Sequence, residues 1–148
     1  MGTLKAAVIG VGSMGQHHAR VYTELKQTTL VGVADALPET AQRIGGKYGV
    51  PAYSNYRELL ERERPDIVTV AAPTQEHHSV AVAALEAGCH VLVEKPIAAT
   101  LAEGEALIAR AAALNRKLMV GHIVRFSPSI QALKQHLDAG ELGRVFQI

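Results

Sequence analysis

The chain has 148 residues, about one domain, and 48% of them are apolar, enough for a core that buries about two-thirds of the surface an unfolded chain would expose. Its 15 basic and 14 acidic residues give a net charge of +1 and are spread along the chain, without the basic stripe that nucleic-acid binding requires. Cys89 is the only cysteine. No intrachain disulfide can form, and between Gly88 and His90 it reads as a small packed residue without a catalytic role. The start of the chain runs almost directly into an apolar segment, with no charged leader, cleavable apolar stretch or run long enough to cross a membrane. The expectation is a cytoplasmic protein.

The first segment, Ala6 to Ile9, is followed by Gly10-Val11-Gly12-Ser13-Met14-Gly15, a helical pattern from His17 to Lys26, a second apolar segment from Leu30 to Ala34, and Asp35. This is the layout of a dinucleotide-binding β-α-β unit. Gly10 permits a tight turn, Gly12 lets backbone approach a pyrophosphate, and Gly15 lets the helix pack close to the strand. Phosphates would sit at the positive end of the new helix, and the Asp35 carboxylate would accept hydrogen bonds from the adenosine ribose. A 2'-phosphate would face the charge of Asp35, and Ala36 and Leu37 offer no cation to receive it, so NAD is favoured over NADP.

The alternation continues. Helical patterns at Glu39 to Tyr48, Tyr56 to Glu63, Glu76 to Ala87 and Leu101 to Asn115 separate further apolar segments at Ile67 to Ala71, His90 to Val93 and Leu118 to Val120. Segments apolar on both faces belong in a covered parallel sheet. Right-handed crossovers make the fold α/β, a doubly wound parallel sheet with ligand at the carboxyl ends of the strands where their order reverses. Gly10, Ala72 and Glu94 then share one edge. Pro38 suits the first turn of its helix, Gly88 suits a helix end, and Glu61 to Arg64 reads as a solvated helix end. Ser127 to Ala139 reads as a helix, and the apolar run Val145 to Ile148 as the start of a strand.

Three clusters at this edge carry chemistry. Pro73 restricts the backbone before Thr74, which either caps a helix plainly or also offers its hydroxyl to the cofactor. The adjacent pairs His17-His18 and His77-His78 point in different directions on a helix, poor geometry for joint metal binding, and no metal is expected. Next, Glu94-Lys95-Pro96 places a charged pair at a strand end. Lys95 could hold a substrate hydroxyl or share in proton transfer, with Glu94 anchoring it or contacting the nicotinamide ribose; the alternative is a surface ion pair. Finally, Gly121 to Pro128 carries His122 and Arg125. Arg125 suits a substrate carboxylate or phosphate, or the cofactor, or a salt bridge within the fold; His122 is either a turn residue or part of the pocket.

Together these segments resemble the amino-terminal domain of the glucose-fructose oxidoreductase, inositol dehydrogenase and MocA (Gfo/Idh/MocA) family. The likeness rests on Gly10 to Gly15 with His18-Ala19-Arg20, Pro73-Thr74 with His77, and Ala84 to Gly88 running into Val91-Leu92-Val93-Glu94-Lys95-Pro96. It implies a Rossmann domain over residues 1–125 and a connecting helix over 126–148. It also implies an NAD(P)-dependent dehydrogenase or reductase of sugars, cyclitols or related small molecules. By the same resemblance Lys95 is the catalytic lysine. Gly10, Gly12, Ser13, Met14, Gly15, Asp35, Ala72, Thr74, His77 and Glu94 form the NAD site, and His122 and Arg125 face the substrate. The segment Gly121 to Pro128 is most similar to members that oxidise nucleotide-linked sugars, such as UDP-N-acetylglucosamine 3-dehydrogenases.

Family members also carry a second, mixed-sheet domain that supplies the catalytic histidine, most of the substrate pocket and the usual oligomer surface. The chain ends where that domain would begin, and Gly143 to Ile148 resembles its first strand. Catalysis by the chain alone is then not expected, and an exposed terminal strand would invite pairing with another chain. Two functions follow as expectations: the cofactor-binding half of an NAD-dependent sugar or cyclitol dehydrogenase, or a non-catalytic NAD-binding module that borrows its substrate domain from a partner. A two-domain reductase of an imine or aldehyde is a third, disfavoured by Glu94-Lys95-Pro96.

Overall fold

Strand β1 (Leu4–Ile9) pairs in parallel with β2 (Thr28–Ala34) on one side and with β4 (Ile67–Val70) on the other. The structure, a computed structural model, describes residues 2–146. β5 (His90–Val93) follows β4, and β6 (Leu118–Val120) closes that edge. The short strand β3 (Ala52–Tyr53) closes the other edge, giving the order β3-β2-β1-β4-β5-β6. The order reverses between β1 and β4, where a doubly wound sheet places its ligand.

Helices α1 (Gly15–Glu24) and α2 (Pro38–Tyr48) cover one face; α3 (Tyr56–Glu63), α4 (Thr74–Glu86) and α5 (Leu101–Ala113) cover the other. The period-two rule of a strand is visible in β1: Val8 packs with Val11, Ala19, Val33 and Ile44, whereas Ala7 and Ile9 pack with the cluster of Leu59, Val80, Leu85 and Leu107. Each fully buried Val or Leu of this kind stabilises the fold by about 1.5–3 kcal/mol. Thr69, buried in β4, is satisfied by the Tyr22 hydroxyl at 2.8 Å, which fastens α1 to the sheet. Burial there raises the Tyr22 phenol above its ordinary value.

Helix punctuation follows the sequence in most places. Pro38 occupies the first turn of α2, Gly49 ends it at φ +67°, and Gly88 follows α4 at φ +88°. Two expectations are corrected, and one strand was not expected at all. α1 begins two residues early, at Gly15, because the glycine packs directly on the turn before it. Thr74 does not cap α4. Pro73 holds the non-helical cap position at φ −56°, ψ 146°, its carbonyl accepts from Glu76 N at 2.8 Å, and Thr74 already lies in the first turn. β3 escaped the apolar pattern altogether.

Beyond β6 the chain forms a 3-10 turn (Ile123–Phe126) and helix α6 (Pro128–Asp138), which packs against that turn and buries none of its residues. Val145 and Phe146 carry no strand pairing; the rest of the terminal strand expected from the sequence lies outside the described residues. Among the described residues no helix is long and apolar enough to cross a membrane.

Candidate functional site

The parallel hydrogen-bond ladders run one residue past each strand. Gly10 N donates to Ala34 O at 2.8 Å, Ala71 N to Ile9 O at 2.8 Å, Glu94 N to Val70 O at 2.9 Å and Gly121 N to Val93 O at 2.8 Å. Residues far apart in the chain thereby stand in one row at the carboxyl edge. Gly10 turns the chain at φ +84°, and a Cβ on it would meet Ala72 N at 2.5 Å. This is the left-handed, close-approach geometry that only glycine accepts. A Cβ on Gly12, by contrast, would meet nothing within 4 Å, so its backbone faces open space.

Asp35 directly follows β2 and turns its carboxylate back onto that loop. Oδ2 accepts from Val11 N at 2.9 Å and Oδ1 from Leu37 N at 3.0 Å. Each carboxylate oxygen retains a further lone pair, so a ribose hydroxyl can still be received. The strand β3 backs this turn through Asp35 N, which donates to Tyr53 O at 3.1 Å. The Tyr53 hydroxyl donates a hydrogen bond to Glu63, which pushes its phenol up to about 12. Gly10, Gly12, Ser13, Met14, Asp35 and Ala72 line one cavity of about 680 Å³. A dinucleotide fits the donor set: backbone at the start of α1, a carboxylate at the far wall, and apolar sides from Ile9, Leu37 and Val80.

Of the residues expected at the ends of β4 and β5, Ala72 lines this cavity and Glu94 does not. Glu94 is only 6% exposed. Its Oε1 lies 2.8 Å from His18 Nε2 of α1, and its Oε2 accepts from the Lys95 backbone N at 3.2 Å. The carboxylate forms no ion pair with the Lys95 side chain; its side-chain partner is His18. A Cβ on Gly121 would lie 3.1–3.2 Å from the Glu94 carboxyl atoms, so the glycine makes room for the acid. Lys95, His122 and Arg125 line a second depression of about 390 Å³ with Ile123, Val124 and Ile130. Neither Lys95 nor Arg125 forms an ion pair with another described residue. The Lys95-Pro96 peptide is cis.

The pattern of the Gfo/Idh/MocA oxidoreductase family, an NAD-binding Rossmann fold, matches residues 4–122. The chain belongs to this family. Its sequence is 37% identical over 132 residues to a UDP-N-acetylglucosamine 3-dehydrogenase of Acidithiobacillus ferrooxidans, covering 89% of this chain and 41% of that protein. It is 34% identical over 151 residues to an inositol 2-dehydrogenase of Salmonella typhimurium, covering 99% of this chain and 45% of that protein. A scyllo-inositol dehydrogenase of Lactobacillus casei, solved with NAD(H) and scyllo-inositol, superposes with a TM-score of 0.88 at 27% identity, over 95% of this chain and 42% of its own. The chain thus spans less than half the length of these relatives.

Within this Gfo/Idh/MocA domain, Gly15, Thr74, His77 and Glu94 do not line the dinucleotide cavity. Gly15 sits beneath the turn, and Glu94 and His77 are buried. The sequence reading missed Ser54, in the loop after β3, and Tyr56, at the start of α3, which line the cavity, and it missed the contact of His18 with Glu94. Only the His18-Ala19-Arg20 part of the family likeness pointed near it. Among the described residues no three His, Cys, Asp or Glu side chains converge as a metal-holding group. Cys89 is buried, which pushes its thiol up to about 11.

Proposed function

We propose that this chain is the cofactor-binding part of an NAD-dependent dehydrogenase of sugars or cyclitols, with a nucleotide-linked sugar as the favoured substrate class. The observation that carries the reading is the Asp35 carboxylate at the wall of the cavity, held there by Val11 N and Leu37 N. Held at that place, it receives the two ribose hydroxyls of NAD and repels the 2'-phosphate of NADP.

When bound, the nicotinamide supplies the hydride acceptor for an alcohol carbon. Gly12 and the first turn of α1 receive the pyrophosphate, and Glu94, fixed by His18, keeps its place at the β5 end beside the nicotinamide half of the site. Lys95 Nζ, without a carboxylate partner among the described residues, donates to the substrate hydroxyl oxygen and shares in the proton transfer as the carbonyl forms, the proton passing to the histidine that the family's second domain supplies. Arg125 and His122 hold the phosphate or other polar arm of the substrate. The relatives' names support this substrate range, one acting on UDP-N-acetylglucosamine and one on inositol. The same proposal divides the chain at residue 125, places the protein in the cytoplasm, and reserves the C-terminal segment beyond that division for contact with a substrate domain or a second copy.

The test is a titration of the chain with NADH and with NADPH, read by nicotinamide fluorescence, beside Asp35→Ala. The reading expects NADH to bind more tightly than NADPH, and the variant to lose that preference. Equal affinity for both in the native chain removes Asp35 from cofactor selection.

A further inference from the structure

His77 is 2% exposed, and both of its ring nitrogens face carbonyl oxygens: Nδ1 lies 2.8 Å from Pro96 O and Nε2 2.9 Å from Ala72 O. A carbonyl oxygen only accepts. A neutral imidazole carries a single N–H and serves one of them, leaving a nitrogen lone pair against an oxygen lone pair at hydrogen-bond distance in a buried site. We propose that His77 is held as an imidazolium that donates at both ends, and that it is a positioning residue tying the cofactor wall to the segment that carries Lys95. The two carbonyls belong to the elements that matter. Ala72 lines the dinucleotide cavity, and Pro96 directly follows Lys95.

The first turn of α4 opposes a cation at this place, so the paired carbonyl dipoles hold the charge against it. Charge-assisted hydrogen bonds are shorter and about twice as strong as neutral ones. A ring bonded at both ends therefore fixes the distance between the cavity wall and Lys95, which neither loop could fix alone. The ionisable groups nearest in the chain are Glu76 and His78 on α4, and Glu94 and Lys95 at the end of β5. This tie rests on the reading of the cavity as the cofactor site.

The experiment is nitrogen NMR on the histidine-labelled chain at neutral pH, with and without NADH, beside His77→Gln. The expected spectrum shows two slowly exchanging ring N–H groups for His77 in the native chain. A ring with one proton overturns the proposal, whether or not NADH binds. The variant is expected to keep its circular dichroism, to bind NADH about tenfold more weakly, and to lose the NADH-induced shift of the Ile97 amide at saturation. An unchanged Kd with an intact Ile97 response overturns the positioning role. If the variant does not fold, the ring protons of the native chain decide. Failure of the native chain to bind NADH counts against the cofactor reading alone, and the two ring protons still decide the tie.

Discussion

A Cβ on Gly15 would stand 1.7 Å from the carbonyl oxygen of Gly10, whereas one on Gly12 would meet nothing within 4 Å. The two glycines of one motif thus serve different ends, and substitution separates them. Gly15→Ala is expected to break the strand-to-helix turn and lower stability by about 2–4 kcal/mol. Gly12→Ala is expected to leave stability within about 0.5 kcal/mol and to weaken NADH binding, because its methyl group projects where the cofactor approaches. Chemical denaturation and fluorescence titration of the two variants provide the check; similar stability losses in both would contradict the assignment.

Gly121→Ala forces the Glu94 carboxylate to move by a few tenths of an ångström, since both of its oxygens lie 3.1–3.2 Å from the new methyl. The bonds to His18 Nε2 at 2.8 Å and to Lys95 N at 3.2 Å shift with it. We expect a stability loss of about 1–3 kcal/mol, as for other overpacked sites, and a changed His18 ring resonance. A His18 signal identical to the native one would show that the acid does not depend on the glycine.

Tyr53 supplies a pH dependence with a definite sign. Its folded phenol is raised from 10.0 to about 12, chiefly by the hydrogen bond to Glu63. The stabilisation is therefore complete below pH 10 and lost as pH rises to about 12, because the unfolded phenol ionises first. Tyr53→Phe should remove that part of the slope. Unfolding free energies of the native and variant chains across this range, with phenolate absorbance in parallel, measure it directly.

Cys89 should be inert while the chain is folded. Its thiol is buried and raised to about 11, so the nucleophilic thiolate is scarce at neutral pH. A thiol-reactive dye is expected to label it only on unfolding, and rapid stoichiometric labelling of the native chain would refute this.

Lys95 lines the second depression and not the dinucleotide cavity. Lys95→Ala should therefore leave NADH affinity within about twofold. In any form of the protein that oxidises a sugar or cyclitol, it should lower kcat by about 10²–10⁴, the range for a lost acid-base group. A large loss of NADH affinity would move Lys95 into the cofactor site.

The sheet was legible because its strands are buried on both faces and so read as unbroken apolar runs, and because Gly10 and Gly15 mark backbone constraints that no other residue meets. β3 was not legible. It has two residues, and its place is fixed by backbone bonds, Val33 N to Pro51 O and Asp35 N to Tyr53 O, which leave no side-chain pattern. At the candidate site, Asp35 could be read from its spacing, but the partner of Glu94 could not. His18 lies 76 residues earlier, and only the folded crossover brings the two together. Thr74 was misplaced by one residue for a local reason: Pro73 already supplies the extended backbone that a helix cap needs.

The bond between His18 and Glu94 has one more consequence. His18 rides on the helix of the first crossover, and Glu94 ends a strand of the opposite half of the sheet, with β4 between β1 and β5. The two halves of a doubly wound sheet can in principle twist about their shared axis, widening or narrowing the crevice. A clasp across that axis holds its width constant, so a dinucleotide lodged against α1 would meet the β5 loop at a distance set before it arrives.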